Sequence, residues 1–99
     1  MNNFEGHIMG EKPVLVDFFA TWCGPCKLMG PVLRQVKDKT GERATVLKLD
    51  IDQNPYYTRL YSVHSVPTLM LFRKGRVLWR KSGVVSSQEI LEQLKTYLS

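Results

Sequence analysis

Val14-Leu15-Val16-Asp17-Phe18-Phe19-Ala20-Thr21-Trp22-Cys23-Gly24-Pro25-Cys26 changes physical character twice, and those changes decide the fold. From Val14 to Ala20 every residue but Asp17 is apolar, with β-branched and aromatic side chains, which is the composition of a strand buried on both faces. Two cysteines then follow at C-x-x-C spacing around Gly24 and Pro25. From Cys23 to Lys39 the apolar residues Leu28, Met29, Val32, Leu33 and Val36 recur at helical spacing. Lys37, Asp38 and Lys39 are left for water, and Gly41 is placed to close the helix.

Working outward, Thr45 to Ile51 resumes strand character, and Asn54-Pro55 opens a short helix running to Tyr61. A strand, helix, strand unit of this length predicts parallel pairing through a right-handed crossover. After Pro67, Thr68 to Arg73 and Val77 to Ser82 flank Lys74, Gly75 and Arg76, which reads as an antiparallel hairpin with glycine at its turn. Ser86-Ser87-Gln88-Glu89 has capping-box spacing, and Ile90, Leu91, Leu94 and Leu98 continue it as an amphipathic helix. Ahead of the central run, Asn3 to Met9 can form a short helix with Phe4 and Ile8 on one face. No repeat or low-complexity tract interrupts this order. It predicts an α/β fold in one domain, residues 1–99, with a central mixed sheet of four or five strands and three to four flanking helices.

The chain has 99 residues, 43% hydrophobic and 23% charged, which suits one globular domain. Two cysteines at this spacing cannot make the disulfide framework of small secreted proteins, and Met1 to Gly10 has no basic start followed by an apolar run. No apolar stretch approaches the roughly 18 residues of a membrane span. A cytoplasmic protein without a membrane segment is therefore expected. The net charge is +5, and Arg59, Arg73, Lys74, Arg76, Arg80 and Lys81 fall in a stretch without acids between Asp52 and Glu89. With neither a helix-turn-helix nor an RNA-binding signature, that patch reads as a solvated hairpin suited to acidic partners, and nucleic acid is not an expected one.

The cysteines sit where strand gives way to helix. Unpaired amides and the positive end of the helix dipole stabilise an anion there, so Cys23 should ionise more readily than a free thiol. Cys26, three positions on, is near enough to form a disulfide with it. Pro25 costs little in a first helical turn and stiffens it, while Gly24 leaves the sulfur approachable. The competing use of such a pair is half a zinc site, but four ligands are usual and only His7 and His64 remain, so no metal is expected. His64 reads as a solvent-facing loop residue. Asp17, the one charge in its run, should have a raised pKa if buried and could then exchange a proton near neutrality; the alternative is a strand-end carboxylate open to water. At Val66-Pro67 the residues alone favour an ordinary trans bond that starts a strand. Pro31, inside the second helix, should bend it.

Trp22-Cys23-Gly24-Pro25-Cys26-Lys27, following Val16 to Ala20, resembles the active-site signature of the thioredoxin family, which general treatments of C-x-x-C motifs use as their example. Lys48-Leu49-Asp50-Ile51-Asp52, Val66-Pro67-Thr68, Lys74-Gly75 and Gly83 are similar to that family in order and spacing, so the likeness runs from Pro13 to Ser99. The resemblance implies a dithiol oxidoreductase that reduces protein disulfides through Cys23 and Cys26, with no cofactor beyond that redox-active pair. It also implies that Asp17 assists deprotonation of Cys26, that Lys48 stands near Asp17, and that Val66-Pro67 is cis with the Val66 backbone free to pair with substrate. Trp22 and Gly83 would complete the contact surface.

The partners it implies are disulfide-containing proteins and an NADPH-dependent flavoprotein, a thioredoxin reductase. Family members usually begin with an edge strand, for which too little chain precedes Asp17 here. The edge made by Thr45 to Ile51 is then expected to be uncovered, giving lower stability or a monomer that dimerises weakly. Phe19 stands where many relatives have tryptophan, an aromatic exchange that should spare the chemistry. Two rival functions stay open: an oxidase or isomerase of the same fold, which usually carries histidine where Gly24-Pro25 stands, and a binding subunit whose cysteines are incidental.

Overall fold

The computed structural model describes residues 4–98, so Asn3 and Ser99, the outer limits of two expected segments, lie outside the described residues. Strand β1 (Val14–Phe19) is the buried run read from the sequence, with Val14 to Phe18 inaccessible on both faces. It pairs in parallel with β2 (Thr45–Asp50) and antiparallel with β3 (Thr68–Arg73), which pairs in turn with β4 (Arg76–Ser82). Among the described residues the sheet is mixed, of four strands in the order β2-β1-β3-β4.

Among the described residues four helices cover it: α1 (Phe4–Ile8), α2 (Met29–Thr40), α3 (Pro55–Leu60) and α4 (Ser87–Leu94). On one face Phe4, Ile8 and Tyr57 pack on Val14, Val16, Phe18, Met70 and Phe72. On the other, Met29, Leu33, Val36, Ile90 and Leu94 cover Leu15, Leu69 and Leu71. Full burial of each such side chain contributes about 1.5–3 kcal/mol, so the two layers hold the sheet from both sides.

Helix boundaries follow local chemistry. Helix α2 does not begin at Cys23. A 3-10 turn over Pro25–Leu28 precedes it, with Gly24 as cap, because Pro25 supplies the fixed φ of a first turn and Cys23 stays outside. Pro31, expected to bend the helix, lies two residues past the change from 3-10 to α geometry. Gly41 ends the helix at φ +57°. The Ser86 hydroxyl accepts the Glu89 amide proton, the first half of the expected capping box, but the Glu89 carboxylate accepts from Lys81 at 2.7 Å instead of reaching back.

Helix α1 is held by more than its apolar face. The Phe4 ring lies 4.6 Å from that of Tyr57, whose hydroxyl donates to Glu5 at 2.7 Å. The carbonyls of Ile8 and Gly10 accept the amides of Gly75 and Lys74, tying the N-terminal segment to the β3-β4 turn. That turn has two residues with positive φ, Lys74 (54°) and Gly75 (78°), the geometry that matches the twist of paired strands. The β3-β4 register shifts between Leu71 and Phe72, so Leu78 is the extra residue of a bulge. A Cβ on Gly75 would meet only the flexible Met9 thioether, so backbone strain sets the cost of adding one. Gly75→Ala should lower stability by about 1–2 kcal/mol in chemical denaturation. Lys74→Gly should not lower it by more than a few tenths.

Candidate functional site

The strand register alone collects the residues singled out from the sequence at one end of the sheet. Phe19 at the end of β1 pairs with Asp50 at the end of β2, while Phe18 pairs with Thr68 at the start of β3. Thr68 faces Ser82 at the end of β4. The loops carrying Cys23, Asp52, Pro67 and Gly83 therefore leave the sheet side by side.

Cys23 and Cys26 form a disulfide, with Cα atoms 5.4 Å apart. The chain reaches this arrangement through a turn in which the Cys23 amide donates to the Ala20 carbonyl at 3.2 Å. The 3-10 turn then aims the Cys26 amide at Cys23 Sγ, 3.1 Å away. That amide is one of the donors a helix start leaves unpaired, and Pro25 ahead of it has none to offer. The anion-stabilising environment expected of a helix containing Cys23 thus comes from the turn that follows it. Gly24 has helical dihedrals and open space around it, so its missing side chain matters to an approaching molecule rather than to the fold.

Around the sulfurs lie Ala20 and the half-buried Phe19, Ile51 and Val66. Cys23 Sγ is 3.6 Å from the Val66 carbonyl oxygen. The Val66-Pro67 bond is cis, against what the residues alone favour and as the resemblance implies. Gly83, at φ +94°, donates its amide to the Pro67 carbonyl at 2.8 Å, which joins the two loops. Trp22 is 69% exposed, yet its indole N–H donates to Asp52 at 2.8 Å. A contact between residues thirty positions apart leaves no local signal in the sequence.

Asp17 is fully buried, and neither carboxylate oxygen has a hydrogen-bond partner. Burial pushes its pKa up from 3.8 to about 6, against a smaller downward pull from Lys48. Lys48 is its partner across the β1-β2 register, but the two make no ion pair; the ammonium lies 4.8 Å from the Phe19 ring centroid. The strand-end, water-exposed reading of Asp17 is set aside by this burial. His64 is exposed, and among the described residues no group of three or more His, Cys, Asp or Glu side chains is placed to hold a metal ion.

The thioredoxin family model matches residues 1–96. The chain belongs to the thioredoxin family. It is 43% identical over 96 residues to a thioredoxin of Alicyclobacillus acidocaldarius, covering 97% of this chain and 91% of the relative. It is 45% identical over 87 residues to a thioredoxin of Mycobacterium bovis, covering 88% of this chain and 75% of the relative. A bifunctional thioredoxin reductase/thioredoxin of Mycobacterium leprae shares 43% identity over 91 residues, covering 92% of this chain and 20% of that larger protein. With its bridged Cys23-Cys26 pair, this family member is a thiol-disulfide oxidoreductase that works by dithiol-disulfide exchange.

The electropositive stretch is largely committed to structure. Arg80 donates to the Tyr61 and Ser62 carbonyls, Arg73 to the Glu11 carbonyl, and Lys81 pairs with Glu89. No helix among the described residues is long and apolar enough to cross a membrane.

The buried carboxylate sets a pH dependence. Below about pH 4 Asp17 is neutral whether the chain is folded or not. Between there and about pH 6 the unfolded chain ionises first, so stability falls as pH rises through that window and then levels off. Asp17→Asn should therefore be more stable than the parent at pH 8, by on the order of 2–3 kcal/mol, and should lose most of that advantage at pH 4. Denaturant midpoints at the two pH values measure it; equal midpoints at pH 8 would contradict the burial argument.

Proposed function

We propose that this protein reduces disulfides of other proteins, with Cys23 as the attacking sulfur. The observation that carries the assignment is the Cys26 amide pointed at Cys23 Sγ, which favours the thiolate of that cysteine over its partner. Cys23 thiolate attacks one sulfur of the substrate disulfide, forming a mixed disulfide and releasing the other as thiolate. Asp17 accepts the Cys26 thiol proton, and the Cys26 thiolate attacks Cys23, expelling the substrate's second sulfur and closing the Cys23-Cys26 bridge. With a pKa of about 6, Asp17 is mostly ionised at pH 7 and able to take that proton. Lys48 favours the ionised form without locking it in an ion pair.

Substrate docks on the surface made by Trp22, Gly24, Pro25, Val66, Pro67 and Gly83. Among the described residues the Val66 amide and carbonyl make no backbone hydrogen bond, so both are available to an extended substrate segment. Such pairing reads backbone rather than side chains and suits many substrates. An NADPH-dependent flavoprotein, a thioredoxin reductase, returns the pair to the dithiol, and the protein works in the cytoplasm as a single domain over residues 1–99, a monomer or weak dimer, without metal or cofactor.

Cys26→Ser tests this directly. It should retain one round of attack on insulin, accumulate a mixed disulfide on Cys23 detectable by intact mass, and lose catalytic turnover with dithiothreitol. Absence of any mixed disulfide, or its formation on Cys26 when Cys23 is the residue replaced, would reverse the assignment. A strongly oxidising reduction potential, near that of the disulfide-forming relatives at about −120 mV rather than about −270 mV, would favour the oxidase reading.

A further inference from the structure

Lys48 stands beside Asp17 in the parallel β1-β2 register, and such partners send their side chains to the same face of a sheet. Phe19 lies two residues beyond Asp17 on β1, so its ring shares that face. One corner of the sheet thus holds a buried carboxylate without a hydrogen bond, an exposed ammonium, and a half-buried ring that also flanks the cysteines. The ammonium has two places to rest. Charge draws it to Asp17, but an ion pair there would strip it of water in a fully buried corner. Over the Phe19 ring it keeps its water, and that is where it lies, 4.8 Å from the centroid and in no ion pair with Asp17. Other groups on this face do not compete for it. Arg34 and Lys37 of α2 line a groove with Lys48 and carry the same charge, and β3 places the apolar Leu69 opposite Asp17. The 3-10 turn supplies Cys26, held in its bridge, and Glu89 of α4 is paired with Lys81.

We propose that Phe19 is a positioning residue for disulfide exchange: its ring face holds the Lys48 ammonium off Asp17, which leaves that carboxylate free to take the Cys26 proton. The inference rests on the reading of Asp17 as the proton acceptor. A carboxylate bonded to an ammonium is a weaker base, because the nearby positive charge favours its ionised form, and the contact would have to break before the proton is taken up. Phe19 acts through Lys48, and that dependence separates positioning from packing.

The test follows the Asp17 carboxyl carbon by NMR across pH in the oxidised protein, where neither cysteine titrates. Phe19→Leu keeps an apolar side chain and removes the ring face. The Asp17 midpoint should then fall by about half a pH unit as the ammonium moves to the carboxylate. Phe19→Trp, which retains an aromatic face, should keep the parent midpoint. In a Lys48→Met background Phe19→Leu should leave the midpoint where it stands, since no ammonium remains to be released. An unchanged midpoint in Phe19→Leu, an equal fall in Phe19→Trp, or a fall that persists without Lys48 would overturn the proposal, the last by showing that the ring acts through packing. Asp17→Asn tests the underlying reading on its own. Closure of the bridge from a mixed disulfide, followed by quenched flow and intact mass, should slow roughly a hundredfold. Parent-like closure would remove the proton transfer that Phe19 serves, whatever the titrations show.

Discussion

A backbone amide held 3.1 Å from Cys23 Sγ is the contact on which the proposed chemistry depends, and much of the surrounding architecture serves to hold it there. The amide is free because it opens a helix, and it is aimed because Pro25 starts that helix as a tight 3-10 turn with Cys23 just outside. The turn is anchored in turn by β1, whose buried run admits only one placement between β2 and β3. A mobile strand would leave the donor and the sulfur to drift apart. Two packed layers of side chains, one against α1 and α3 and the other against α2 and α4, prevent that.

The second constraint is electrostatic. An unpartnered carboxylate inside a sheet opposes folding once ionised, and Asp17 has no hydrogen bond to offset the cost. It lies on the strand that leads into the cysteine turn, and a pKa of about 6 suits it to the proposed proton transfer, as acceptor at pH 7 and as donor when the cycle reverses. Lys48 sits close enough to moderate the shift and far enough not to cancel it; its ammonium rests over the Phe19 ring instead. Phe19 is thus part of this arrangement.

The strands and the amphipathic helices were legible because period and composition write them locally: the continuous run from Val14, the spacing of Leu33 and Val36, the Lys74-Gly75 turn, the Ser86 cap. Cysteine spacing and the Asp17 charge marked the site in the same local way. What escaped were features that local pattern does not encode. A 3-10 turn and an α-helix share their apolar spacing over four residues, so Cys23 was placed inside a helix that begins after it. The Trp22 to Asp52 hydrogen bond and the Gly83 to Pro67 link join loops distant in sequence and exist only through strand register. The cis geometry at Pro67 came from resemblance, since the residue types alone point the other way. The basic stretch after Asp52 was visible as composition, but its engagement by the carbonyls of Glu11, Tyr61 and Ser62 was not.

Titration of the reduced protein by thiolate absorbance near 240 nm, with Cys26→Ser to isolate the other sulfur, reaches the central claim most directly. The account predicts that Cys23 ionises well below the free-thiol value of about 8.5. A Cys23 pKa at or above the free-thiol value would mean that the amide at the helix start does not hold the sulfur as an anion, and the proposed order of attack would fall with it.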